Sequence, residues 1–271
     1  MPVSRPDYCL ETQAETLLSK FMNLRKFHDL FANQELYFRR VDKFKENDPQ
    51  EALPENDFVR GARGLVKGDV HDEQELRHAQ GTNRQFSESH FISCWHLYEG
   101  ETLRMWDEYG EVAIFSTYAL LHDALNAFLD EVDVGAVRYG HEHINRYNLI
   151  QFLFTKRRHF EKERELRVVL TSRDPVAAMN RHYDAENRVH REPLDDLSAL
   201  HEWVHDHKRR RVDLAKLVTE VRVSPWASDE TFEDIATFVR SVSTECPTVW
   251  SELKNAFTPS SEEYRAHLYG R

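Results

Sequence analysis

Apolar positions along the chain change period repeatedly, and each change marks an element. The run Leu17 to Met22 has the length of a strand, and Asn23 after it is an N-cap for a helix with Leu24, Phe27, Leu30 and Phe31 on one face. Glu35 to Val41 alternates as a strand does and ends in a turn over Lys45 to Pro49. Phe91 to Tyr98 reads as a buried strand, and Glu101 to Gly110 as a short helix. In that helix Met105, Trp106 and Tyr109 share a face through their three- and four-residue spacings. Glu111 to Ser116 is a strand, after which Thr117 caps a helix carrying Tyr118, Leu121, Leu125 and Phe128. Further strands are predicted over Val134 to Tyr139, Glu165 to Thr171 and Val218 to Ser224, the last stopped by Pro225. Ser228 or Asp229 then caps a helix with Phe232, Ile235, Phe238 or Val239, and Val242 on its apolar face.

Between these elements the pattern weakens. Residues 1–14 read as a flexible polar lead. Gln50 to Ser89, with glycines at 61, 64 and 68, reads as an excursion holding one helical stretch at most, and Arg173 to Asp196 reads as polar surface chain. The expected organisation is one domain over residues 15–271 with insertions near 50–89 and 173–210. Strands and helices mix without a βαβ rhythm. The predicted class is therefore α+β, with one mixed, largely antiparallel sheet flanked by helices and polar surface insertions.

Hydrophobic residues are 40% of the 271, enough for a substantial core. The formal charge of −11 works against broad adhesion to nucleic acid or anionic membrane and leaves room for a local basic patch. Cys9, Cys94 and Cys246 are odd in number and far apart, which argues against a disulfide framework or a cysteine-rich zinc site. No apolar run has signal-peptide or membrane-spanning length, so a cytoplasmic protein without membrane partners is expected.

Candidate chemistry sits in three places. Ser93 to Tyr109 concentrates Trp95, Tyr98, Trp106 and Tyr109 and suggests a pocket wall or a junction between layers. Lys156 to Arg167 is a basic, aromatic and acidic block. A strand beginning near Glu163 puts Glu163, Glu165 and Arg167 on one face, opposite Leu166, Val168 and Leu170. His201-Glu202-Trp203-Val204-His205 matches the HExxH spacing of zinc peptidases, but the longer form fails at Lys208 and Arg211, and the following Lys208-Arg209-Arg210-Arg211 run would repel a cation; no metal is expected. Cys94 and His96 point the same way on their strand, yet a cysteine in an apolar strand is ordinarily core. P-loop, GxSxG, GxGxxG and EF-hand patterns are absent.

With these motifs in view, the chain resembles a large uncharacterised family of bacterial domains of unknown function. The resemblance is carried by LSKFMNLRKFHDLF, ELYFRRVDKFKENDPQEA, SCWHLYEGETLRMWDEY, VAIFSTYALL, KRRHFEKERELR and DLAKLVTEVRVSP. This chain reads Gln50-Glu51-Ala52 where such a turn continues with an aromatic, Glu and Gly, and Lys20 where arginine is common. The resemblance implies a bacterial protein, some of whose kind belong to mobile elements, and hence a defence or toxin role.

The order of residue types is also similar in layout to ADP-ribosyltransferases. That likeness implies NAD as cofactor, Glu163 and Glu165 as catalytic carboxylates, and Lys20, Ser93, Trp95, Trp106, Tyr109 and Arg167 as cofactor-binding residues. The acceptor, whether protein, nucleic acid or water, is left open. Competing readings are a non-enzymatic module holding an anionic ligand or a peptide through Arg104, Arg157 and Arg167, and a zinc peptidase through HEWVH. A nuclease is disfavoured by charge and by the lack of a D…ExK set.

Overall fold

The computed structural model describes residues 3–7, 9–46, 51–52, 54–140, 144, 148–172, 183–184, 189–190, 206–243 and 245–254. The run Leu17–Met22 is strand β1, and the Asn23 side chain accepts the backbone N–H of Lys26 at 2.9 Å to open helix α1, Leu24–Asn33. Gln34 leaves that helix in the left-handed region and feeds β2, Glu35–Arg40. Helices α2 (Asn56–Arg63) and α3 (Val70–Glu88) precede β3 (His90–Leu97). Then come α4 (Leu103–Tyr109), β4 (Val112–Thr117), α5 (Tyr118–Leu125), β5 (Glu131–Ala136) and β6 (Arg138–Tyr139). Helix α6 (Leu149–Leu153), β7 (Thr155–Lys156) and a 3-10 turn over Arg158–Glu163 lead into β8 (Glu165–Thr171). Two short strands, β9 (Tyr183–Asp184) and β10 (Val189–His190), pair with each other. The remaining elements are β11 (His207–Arg211), α7 (Leu214–Leu217), β12 (Glu220–Val223), α8 (Asp229–Val242) and β13 (Thr248–Trp250).

Among the described residues, nine strands belong to one sheet, in the order β11-β2-β3-β1-β4-β12-β13, with β8 also pairing β3 and carrying β5. β1 and β4 run antiparallel from Leu17↔Thr117 to Met22↔Val112, and β5 and β8 run antiparallel from Glu131↔Thr171 to Ala136↔Leu166. The β12–β13 pair is parallel, so the sheet is mixed and mostly antiparallel, flanked by helices: an α+β fold. Among the described residues no helix is long and apolar enough to cross a membrane.

The chain groups into two compact units. One holds residues 1–11, 37–93 and 128–209; the other holds 12–36, 94–127 and 210–271. The chain passes from one to the other at 11/12, 36/37, 93/94, 127/128 and 209/210, and three of these steps fall inside β2, β3 and β11.

In the first unit, Phe38, Phe91, Val132, Val134, Phe152 and Val168 are buried. Ser4 and Leu10, expected in a flexible lead, bridge to Asp133 and Ala136 of β5 instead. This close approach needs a glycine, since a Cβ on Gly135 would lie 2.3 Å from Cys9 Sγ. Burial pushes the Cys9 thiol up to about 12. The Gln50 to Ser89 stretch, expected to hold one helix at most, holds α2 and the nineteen-residue α3. Their shared core is small, Val59, Leu76 and Ala79, so end chemistry does much of the fixing. Gly64 closes α2 in the left-handed region, Asp69 Oδ1 accepts from His71 N and Asp72 N, and Arg60 pairs with Glu73 at 2.9 Å. β11, expected inside a polar insertion, is a strand although its sequence is His-Lys-Arg-Arg-Arg.

The second unit packs Phe27 and Phe31 of α1 against Phe238 of α8. A second cluster joins Phe21, Trp106, Ala113 and Phe115, with Tyr98, Met105 and Tyr109 against it. Gly110, at φ 129, lets α4 return close to β1; a Cβ there would sit 2.5 Å from the Asn23 nitrogen.

Candidate functional site

The basic, aromatic and acidic block forms a buried charge cluster in the first unit. β7 pairs parallel with β6, setting Lys156 beside Tyr139. The chain then makes its 3-10 turn, ends it at Glu163, passes through Arg164 in the left-handed region (φ 44) and enters β8 at Glu165. The strand thus covers Glu165–Thr171, the run predicted from its apolar residues, and does not begin near Glu163. Glu163 belongs to the turn rather than to the strand face, yet its carboxylate still converges with Glu165 through Lys156. Lys156 Nζ lies 2.7 Å from Glu163 Oε2, 3.4 Å from Glu165 Oε2 and 3.8 Å from Glu51 Oε1.

Arg167, two residues along β8, faces the same way as Glu165. Its Nε donates to Glu165 Oε1 at 2.9 Å, its Nη2 to Glu165 Oε2 at 3.1 Å and to Glu51 Oε1, and its Nη1 to the Leu153 carbonyl at 2.7 Å. This fork-on-carboxylate arrangement is what makes a guanidinium tolerable at 1% exposure. The Glu165 backbone N–H donates to Tyr139 Oη at 2.8 Å. The expected alternation of β8 holds for Glu165 and Arg167, and both faces of the strand are buried from Glu165 to Leu170.

Access within the cluster is unequal. The side chain of Glu163 is 15% exposed, against 2% for Glu165 and 7% for Glu51. Burial raises the Glu163 carboxyl above the usual carboxylate range, and the hydrogen bond and charge of Lys156 oppose this only in part. For Lys156 burial works downward, but the charges of Glu165 and Glu51 outweigh it and hold the ammonium above its ordinary value. Burial likewise raises the Tyr139 phenol. Phe160 lies under the accessible rim, its ring 4.3 Å from Lys156 Nζ and 5.6 Å from the Arg157 guanidinium. Among the described residues, two of the three non-glycine positions with positive φ, Ala52 (φ 58) and Arg164, stand directly beside the cluster's glutamates. Such left-handed positions cost about 1–3 kcal/mol each and gather at functional sites.

The remaining predicted residues are placed differently. Ser93 is in the same unit as this cluster and is buried at 2%. Lys20, Trp95, Trp106 and Tyr109 belong to the second unit. There Lys20 Nζ donates to the Cys94 carbonyl at 2.7 Å and lies 5.6 Å from the centre of the Trp95 ring. Trp95 and Trp106 are fully buried, and Trp106 Nε1 donates to Glu101 at 3.0 Å. The aromatic corner, expected as a pocket wall, is packed core: Phe21 meets Trp106 edge-on at 4.8 Å, and His96 packs between Phe21 and Tyr109. Glu101 also takes Arg222, which bonds Tyr98 and Glu252 as well and rests over the Phe115 ring at 4.3 Å. Arg104, expected to hold an anion, pairs with Glu108 one helical turn away at 2.6 Å.

Sequence reasoning missed Glu51, Tyr139 and the role of Lys156. Glu51 directly precedes Ala52, which is in the left-handed region (φ 58). HEWVH, at 201–205, lies outside the described residues. Among the described residues no group of three His, Cys, Asp or Glu side chains is arranged to hold a metal ion. No family model, curated protein or solved structure matches this chain.

Proposed function

We propose that the chain is an NAD-consuming transferase or hydrolase whose reacting carboxylate is Glu163. The observation that carries this reading is the inequality of the three glutamates. Glu165 and Glu51 are locked onto Arg167, while Glu163 keeps access, a raised carboxyl and a lysine at 2.7 Å. In the proposed reaction the bond between the nicotinamide nitrogen and ribose C1′ breaks, its electron pair leaving with nicotinamide. The Glu163 carboxylate stabilises the positive charge that grows on C1′. Water or another nucleophile then bonds to C1′ and gives up its proton, which Glu163 is placed to accept. Phe160, beside Lys156 and Arg157, supplies an aromatic face. Lys20, Trp95 and Trp106 take no part in this version. Glu165 and Arg167 position Lys156 and β8 rather than touch the substrate.

The test is release of nicotinamide from NAD by the purified full chain, with a bacterial lysate as acceptor source, read by mass spectrometry. Turnover is expected, with Glu163→Gln lowering kcat on the order of 10²–10⁴-fold while circular dichroism stays unchanged. No release, or release indifferent to Glu163→Gln, sinks the reading. A second reading, a non-catalytic holder of an anionic ligand, draws on the near-complete burial of Glu165 and Arg167, which suits a fixed scaffold. Binding of ADP-ribose without consumption of NAD favours it.

A further inference from the structure

The two residues of β6 send their side chains to opposite faces. Tyr139 turns toward the glutamate cluster, where its Oη takes the Glu165 N–H, so Arg138 turns away from it. The bridge between Leu10 and Ala136 lays the N-terminal chain along the end of β5, just before Arg138. Ser4 ties the same chain further along β5: its N–H donates to the Val132 carbonyl and its carbonyl accepts from Val134 N, both at 2.9 Å. Between the two ties Cys9 packs on Gly135, and Arg5 Nη1 donates to the Cys9 carbonyl at 2.8 Å.

Arg138 is half-buried, with Nε withdrawn from solvent, and among the described residues no group accepts a hydrogen bond from its guanidinium. Arg167 in the same unit shows the ordinary arrangement, with Nε, Nη1 and Nη2 all engaged. Arg5 is exposed, and its one described side-chain bond is the one to Cys9. Both positive charges reach the Cys9 sulfur: burial raises the thiol, Arg138 opposes that rise most, and Arg5 opposes it too. Asp133 adds to the rise, but its carboxylate is held by the Ser4 hydroxyl and pairs with neither arginine.

We infer that Arg138 and Arg5 form a site beside Cys9 for a small phosphate-type oxyanion, either the free ion or the phosphate group of a small metabolite. A guanidinium offers parallel donors at the spacing of two phosphate oxygens, and Arg138 has that fork available. Two guanidinium charges match a divalent anion, whereas a monocarboxylate neutralises only one of them. A nucleic-acid strand needs such charges repeated along its backbone, and this site has two. The anion bridges the N-terminal chain, through Arg5, to β6, through Arg138, and so holds that chain down over Cys9. The site faces away from the glutamate cluster and stands whether or not that cluster acts on NAD.

The test uses Cys9 as reporter in the full chain carrying Cys94→Ser and Cys246→Ser, so that a thiol reagent reads local opening of the N-terminal chain. Ionic strength is held constant with sodium chloride. Inorganic phosphate is expected to slow labelling by the factor 1 + [L]/Kd, about elevenfold at ten times the Kd found by calorimetry. Equal slowing by glycerol phosphate assigns the site to a phosphate monoester, and slowing by inorganic phosphate alone assigns it to the free ion. Arg138→Gln should abolish the slowing. Arg138→Lys keeps the charge without the fork and should weaken binding about tenfold, the loss of one charged hydrogen bond. Arg5→Gln, at an exposed position, should also weaken binding and keeps the proposal testable if Arg138→Gln unfolds. Calorimetry on the same variants decides the matter if the thiol stays unlabelled. Absence of phosphate binding overturns the proposal. So does slowing equalled by acetate at the same ionic strength, or binding that survives both Arg138→Gln and Arg5→Gln unchanged.

Discussion

Glu163 holds its proton more tightly in the folded chain than an ordinary glutamate does, and burial is the cause. The sign of the consequence follows from linkage. Between the usual value of 4.5 and the raised folded value, the native state binds more protons than the unfolded state, so stability falls as pH rises through that window and the loss persists above it. Urea unfolding at pH 4 and pH 7 should therefore show the Glu163→Gln variant gaining on the wild type as pH rises. An unchanged difference would mean that Glu163 titrates as though exposed. In activity the same shift places the acid limb of kcat/KM above about 4.3, where a solvated glutamate would put it. Part of this site was legible residue by residue: the two-residue spacing of Glu165 and Arg167 on β8 forces them to share a face. Lys156 and Glu51 were not legible as partners, because they arrive from β7 and from a distant turn, and no local period encodes that convergence.

Capping residues made elements legible where the apolar period was ambiguous. Asn23, Thr117 and Ser228, read as caps from the sequence, each accept a backbone N–H in the first turn of the helix they precede, and so do Thr102 and Asn148, which were not read so. Replacing Ser228 by Ala, which removes the bond to Thr231 N at 3.1 Å, should lower stability by about 1 kcal/mol; Ser228→Asp should lose little. Thermal unfolding of the two variants checks this, and equal melting temperatures would mean that α8 is held by its packing alone. The elements that escaped detection share another property. α2 and α3 bury few apolar residues, and β11 hides a buried lysine among basic neighbours, so hydrophobic periodicity carried no signal for them. Val137, donating to the Glu165 carbonyl at 2.8 Å, separates β5 from β6 where the sequence alone reads one strand.

At the scale of the whole molecule, the α+β class could be read from the irregular succession of strands and helices, whereas the grouping into two units could not. Domain boundaries announce themselves by linker composition, and here three of the five crossings lie within hydrogen-bonded strands. A prediction about cooperativity follows. In a Trp203→Phe variant the remaining tryptophans, Trp95, Trp106, Trp226 and Trp250, all belong to the second unit, so their fluorescence reports on it, while far-UV circular dichroism averages over both. Because β2, β3 and β11 each supply residues to both units, the two signals should lose half their amplitude at the same urea concentration. Two separated midpoints would show that the strands break at the crossings before either unit melts.

The shared strands also constrain how such a chain can descend and be re-used. Exchange of genetic segments between relatives succeeds when the break falls in a loop that few contacts cross, and none of the three crossings inside β2, β3 and β11 offers such a place. Neither unit can be inherited, fused or transplanted as a module without leaving a half-strand behind.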